Sequence, residues 1–227
     1  MGDMKKLGVL LALAVIFLTA YGLPLRAADL NQSEITAAYY KSYEHERQQR
    51  YEDAIKDLSA VYRAYPNTYT VNYRMGWLYY LDKNYSKALE HLNKALAISP
   101  GSIEVMNTVI LVHAAKADWT KVEETSLAVL KIDYYNLTAN YWYSRSLRME
   151  KKYELAIKVD RKMLGVYPTS ATFLQELGEN LFLDNKKKES LAVFSNLKIL
   201  SPLNAVADAY LKAAASPRKT KSPPAKP

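Results

Sequence analysis

Cysteine is absent from all 227 residues. This excludes disulfides, thiolate-held metals and a lipid-modified cysteine anchor behind a leader. Glycine occurs only seven times, which leaves little material for a phosphate-cradling loop, and neither a phosphate-loop motif nor a nucleophile elbow is present. Histidine is equally scarce. His45, His91 and His113 share no ligand spacing such as H-x-x-x-H, so no metal site is expected. Adjacent carboxylates such as Glu123 and Glu124 point apart on a helix and form no acid–base pair. These absences predict no catalytic residues, no cofactor and no metal, and the chain reads as a non-enzyme.

Charge of one sign is also missing from the body of the chain. The net charge is +8, but Lys5, Lys6 and Arg26 against Asp3 give the first 27 residues +2, and Arg218, Lys219, Lys221 and Lys226 give the last twelve +4. The middle carries only +2. A broad phosphate-binding footprint is therefore not expected, and no nucleic-acid partner is implied.

What the sequence does have is a period of 34. Pro66, Pro100, Pro168 and Pro202 lie on one grid, with Tyr134 in the remaining slot. On the same grid Tyr51, Tyr85, Trp119, Tyr153 and Lys187 are each followed three residues later by Ala54, Ala88, Val122, Ala156 and Ser190. Five repeats run without gaps over 35–68, 69–102, 103–136, 137–170 and 171–204. Positions 4, 7, 8 and 11 of each recur at helical spacing, and so do positions 20, 24 and 27. Each repeat therefore predicts two helices, the second stopped by a proline that has no N–H and clashes with the preceding turn. A single pair cannot bury its apolar stripe, but a stack of at least about three can.

The second repeat, with Met75-Gly76, Tyr79, Tyr85, Ala88, Leu92, Ala95 and Pro100, resembles the tetratricopeptide repeat. The third departs most, with Ile110 in the glycine slot, Val122 for alanine, Ser126 and Tyr134; bulk at Ile110 puts the helix packing there in question. The resemblance covers 35–204 and implies an all-α, right-handed superhelical solenoid of antiparallel helix pairs. Residues 205–215 are expected to form a capping helix, since Asp208 and Lys212 occupy slots that a further repeat would keep apolar. His45 and His113 fall at a packing position, and His91 falls at position 23, an exposed part of a second helix. The triple lysine 186–188 reads as a solvated turn.

The two ends differ from the repeats. Lys5 and Lys6 precede an uncharged apolar run from Leu7 to Leu18, then Pro24 and the pair Ala27-Ala28. That order predicts a secretory signal peptide over 1–27, followed by a short linker over 28–34 and export to a bacterial periplasm. The second reading is an uncleaved inner-membrane anchor over 7–25 facing the periplasm. Residues 216–227 hold four prolines and no acidic or aromatic residue, which predicts a disordered tail with at most weak attraction for anionic surfaces.

In the resembled architecture the first helices line a concave groove. Positions 2, 5, 9 and 12 share one helix face there, which yields the candidate partner-binding residues Tyr39, Tyr43, Tyr73, Trp77, Tyr80, Asn107, Leu111, Tyr141, Arg145, Arg148, Gln175, Glu179 and Phe182. Aromatics on a rigid scaffold suit a peptide or protein segment. Arg145 and Glu179 share a slot one repeat apart and are expected to neutralise one another, leaving Arg148 for a carboxylate. The family's clamp for C-terminal carboxylates is not present, because Tyr39 and Tyr43 stand where its Lys and Asn would be. The predicted function is a non-catalytic interaction scaffold of the cell envelope. The alternative is a glycan-binding or polysaccharide-export scaffold, since Tyr and Trp also stack on sugars.

Overall fold

A computed structural model describes residues 30–215. Among these residues there are twelve α-helices and no strand. The signal peptide or anchor and the basic tail lie outside the described residues. No described helix is long and apolar enough to cross a membrane.

The chain divides after Pro66 into two compact parts. The first holds α1 (Gln32–Arg47), α2 (Tyr51–Asp57) and α3 (Ser59–Ala64), so the second helix of this repeat is broken at Leu58. A capping box starts α1: Asn31 accepts from the Glu34 amide at 3.0 Å and Glu34 Oε2 accepts from the Asn31 amide at 2.8 Å.

The second part stacks four helix pairs: α4 (Tyr69–Leu81) with α5 (Tyr85–Ile98), α6 (Ile103–Ala115) with α7 (Trp119–Leu130), α8 (Leu137–Met149) with α9 (Tyr153–Val166), and α10 (Ala171–Leu183) with α11 (Lys187–Leu200). Each second helix also packs on the next first helix, and α12 (Ala205–Ala215) closes the series against α11. Two devices repeat with the sequence period. Ser102, Asn136, Ser170 and Asn204 cap successive first helices through their side chains. Gln49, Lys83, Ala117, Lys151 and Asn185 all take positive φ, between 55° and 62°, just after a first helix. The amides that follow them reach back to the carbonyls of His45, Tyr79, His113, Leu147 and Leu181, so every turn inside a repeat is a Schellman closure made without glycine.

Packing inside each pair follows one rule of complementary size between positions 8 and 24. A Cβ added at Gly76 would lie 2.7 Å from Leu92 Cγ, and one at Gly178 would lie 2.7 Å from Phe194 Cε1. The third repeat reverses the sizes: Ile110 and Ser126 are both fully buried, and Ile110 joins a core with Val122 and Val129. Bulk at Ile110 is thus accommodated, because position 24 opposite it is small. The first repeat pairs Ser42 with Leu58, and the fourth Ser144 with Asp160, all four fully buried.

One sequence expectation fails here. His91 is not exposed. It is 5% accessible, its Nδ1 lies 3.1 Å from Asn72 Oδ1, and its ring stacks on Tyr79 at 5.4 Å. Position 23 faces the first helix of its own repeat, and burial pushes the imidazole below its ordinary pKa, so the ring is neutral at pH 7.

α12 is joined to the stack more closely than a purely solvating cap. Tyr210 stacks on Phe194 at 4.4 Å, and Ala207 is fully buried. Asp208 pairs with Lys198 at 2.6 Å, so the charged face of α12 answers the end of α11.

Candidate functional site

The candidate groove residues of the second part sit on α4, α6, α8 and α10, and all eleven are partly buried. On α4 the rings of Trp77 and Tyr80 are 5.5 Å apart and those of Tyr69 and Tyr73 6.2 Å apart. Tyr73 and Tyr80 lean on the core formed by Ala88, Leu92, Val105 and Val109. These aromatics are neither free surface nor core: one edge of each is fixed by packing. Burial raises the Tyr80 phenol above its ordinary pKa, which keeps it protonated and able to donate.

Asn107 and Leu111 follow on α6. Asn107 Oδ1 is buried and has no hydrogen-bond partner among the described residues. Buried polar groups are normally paired, so this acceptor in the middle of the row is unusual.

On α8 and α10 the charged residues are already engaged. Arg148 Nη1 lies 2.8 Å from Glu176 Oε2 and 2.9 Å from Glu179 Oε2. The Arg148 side chain is 9% accessible and that of Glu176 2%. The sequence reading assigns Arg148 to a partner's carboxylate, and this is overturned: both of the carboxylates it meets belong to α10. Glu176 was missed because position 6 was not counted as a packing face. Arg145 makes no direct ion pair with Glu179, which meets Arg148 instead, and feels its charge only at longer range. It donates to Tyr141 Oη at 2.6 Å, approaches Glu176 only to 3.8 Å, and lies 5.5 Å from the centroids of both Tyr141 and Trp142. Glu179 accepts from Gln175 at 3.0 Å. Phe182 meets Tyr210 of α12 edge to face at 4.9 Å, so the cap covers part of it. In the first part, Tyr43 of α1 is 48% exposed and Tyr39 half-buried.

Beneath α8 and α10 lies a buried polar cluster that the sequence reading did not find. Asn180 Nδ2 donates to Asp160 Oδ2 at 2.7 Å and to Ser144 Oγ at 3.2 Å. Asp160 is fully buried and Glu176 1% accessible. Burial, with a smaller push from the Glu176 charge, raises the Asp160 carboxyl to about 7 against the opposing hydrogen bonds of Ser144 and Asn180 and the charge of Arg148. Glu176 is also raised, again chiefly by burial. Shut off from solvent on both sides, neither carboxyl has room for a substrate. The available signal was Asp160 itself, an acid at position 24 where the other repeats place Leu58, Leu92, Ser126 and Phe194. Among the described residues no group of three or more His, Asp or Glu is placed to hold a metal.

Residues 41–103 match the sequence model of the tetratricopeptide repeat family. Solved structures sharing the fold include MamA 41-end from Desulfovibrio magneticus RS-1, 17% identical with a TM-score of 0.69 over 76% of this chain and 97% of that one. Another is YrrB, described as a TPR protein with an unusual peptide-binding site, 14% identical with a TM-score of 0.68 over 86% of this chain and 97% of that one. Residues 41–103 thus carry the tetratricopeptide repeat, and the described helices share the tetratricopeptide fold. No curated protein sequence matches it. The tetratricopeptide grid explains the glycine slots at Gly76 and Gly178, while Ile110 and Asp160 depart from the other repeats of this chain at positions 8 and 24.

Proposed function

We propose that this protein is a non-catalytic scaffold that holds a peptide or partner segment along α4, α6, α8 and α10. The observation that carries this reading is Asn107 Oδ1, a buried acceptor without a donor, set in a row with Trp77, Tyr80, Leu111 and Tyr141. A backbone N–H of an extended segment would satisfy it, while the half-buried rings supply apolar anchors at low entropic cost. YrrB, which shares the fold, is described as binding peptide, and that is consistent with such a use. Arg145, with 34% of its side chain accessible, is the cation open to a partner, in place of Arg148. We further propose that the scaffold works outside the cytoplasm. That part rests on the residues before Ala28 and is tested by sequencing the N-terminus of the native protein. A mature chain starting at Ala28 supports it, and an intact Met1 in a soluble cytoplasmic fraction refutes it.

The groove is tested with a photo-crosslinking amino acid placed at Tyr73 or Leu111 and, as a control, at Lys188 on α11. A partner captured only from the groove positions is then titrated against variants. Asn107→Leu removes the unpaired acceptor, so it should leave the melting temperature unchanged or raised and weaken binding at least tenfold. Trp77→Ala should weaken binding by roughly 2 kcal/mol or more with the fold intact. If Trp77→Ala unfolds the protein, Trp77 is core and the groove reading fails.

A further inference from the structure

A second feature stands apart from the groove, on the side formed by the second helices. α7 has 12 residues, whereas α5, α9 and α11 have 14. Tyr134 occupies the slot that holds Pro100, Pro168 and Pro202 elsewhere, and the chain leaves α7 through a tight turn, with the Asp133 amide bonded to Val129 O and the Asn136 amide to Asp133 O. Beside this shortened end is an open pocket of about 530 Å³, lined by Leu127, Leu130, Tyr134, Tyr143, Val159 and three lysines, Lys131, Lys158 and Lys162. That volume lies within the usual range for binding pockets.

The walls are apolar and the rim is cationic. No Asp or Glu lines the pocket, and none of the three lysines is ion-paired to a carboxylate among the described residues. Lys162 is held by neutral groups: its Nζ donates to Asn140 Oδ1 at 2.5 Å and to Tyr134 O at 3.3 Å, and sits 4.0 Å from the centre of the Tyr134 ring. Burial lowers its pKa, so an incoming carboxylate would relieve an existing penalty. Lys158 lies four residues earlier on the same helix face, a like-charge spacing that destabilises a helix slightly. The helix dipole accounts for Lys131, at the C-cap of α7, but not for the other two. The lip is apolar as well: Ile132, Tyr134, Tyr135 and Leu137 are 45–58% exposed, a concentration that marks interaction surfaces.

We infer that the pocket between the end of α7 and α9 docks an acidic peptide segment that inserts an apolar side chain. Three cations with no facing acid call for several carboxylates, more than a single anionic head carries, and the open mouth suits a side chain presented from outside. The chain's own ends are excluded as occupants by charge, since the tail carries four cations and no acid, and the leader is also net positive. This inference does not depend on the groove reading.

The test uses the full protein and three labelled dodecapeptides, followed by fluorescence anisotropy. One peptide spaces Leu and Phe among Asp and Glu, one replaces the acids with Lys, and one keeps the acids and replaces the apolar residues with Ser. The first should bind at least tenfold tighter than either of the others. Lys131→Glu with Lys158→Glu should cut that affinity at least tenfold without lowering the melting temperature, and Leu127→Ser should cut it several-fold. Trp77→Ala should leave it unchanged. Peptide binding indifferent to the lysine variants, or lost on Trp77→Ala while the melting temperature is kept, overturns the inference. So does decanoate binding as tightly as the peptide, because the pocket would then be a site for a small amphiphile. A dimer in sedimentation that the lysine variants abolish also overturns it, by making the occupant a second copy. Failure of the acidic peptide leaves the Asn107 and Trp77 results standing.

Discussion

Replacing Arg148 with Met tests whether the α8–α10 contact is held by a buried ion pair. Glu176 is 1% accessible, and its carboxylate faces Arg148 at 2.8 Å and Arg145 at 3.8 Å. Arg148→Met keeps most of the side-chain volume but leaves Glu176 with the more distant and more exposed arginine. Breaking a buried pair by removing one partner costs about 3–5 kcal/mol, because an uncompensated charge is left inside. For a chain of this size about 1 kcal/mol corresponds to roughly 2–4 °C, so the melting temperature should fall by roughly 6–20 °C near pH 8. Protonation offers Glu176 an escape. Its folded pKa is already raised by burial and rises further without Arg148. The folded variant then holds a proton that the unfolded chain releases, so its deficit is largest at high pH and narrows as pH falls from 8 towards 5. The double variant Arg148→Met with Glu176→Leu should recover most of the loss, since an apolar pair often replaces a buried ion pair without cost. Repeat arrays need not unfold in one step, so circular dichroism melts are best paired with hydrogen exchange at the amides of α8 and α10. A single variant within about 1 kcal/mol of the parent at pH 8 would refute the reasoning.

Three further outcomes follow from the packing. Asp160 titrates near 7 when folded against an ordinary 3.8, so its contribution is fully present below about pH 4 and is lost as pH rises to 7. Asp160→Asn should remove that slope from a pH series of denaturation midpoints, although the buried imidazoles of His91 and His113, both lowered by burial, act oppositely and cost stability as pH falls through 6.5. Gly76→Ile should destabilise by about 1–3 kcal/mol through overpacking against Leu92, and adding Leu92→Ser should recover part of it by copying the third repeat; no recovery in urea titrations would refute the size rule. Ala117 at φ 55° stores left-handed strain, so Ala117→Gly should raise the melting temperature by an amount equivalent to roughly 1 kcal/mol, and a lower one would contradict the Schellman assignment.

The period of 34 was sufficient for the helix pairs of the second part and for the glycine slots, because each of these is local: a proline stops a helix, an aromatic and a small residue fall on one face, and a Gly sits opposite a large residue. The groove row was legible as a row of positions, since helical geometry alone places positions 2, 5, 9 and 12 together. The partners of its charges were not. Whether Arg148 meets Glu176 or solvent depends on the angle between α8 and α10, which brings position 6 of one repeat under position 12 of the previous one. His91 and Asp160 were decided in the same way, by burial that a one-dimensional pattern does not express. The pocket beside α7 needed both levels: the sequence shows Tyr134 in place of proline, but only the tertiary structure brings Lys158 and Lys162 of the following helix to the gap that the shortened helix leaves.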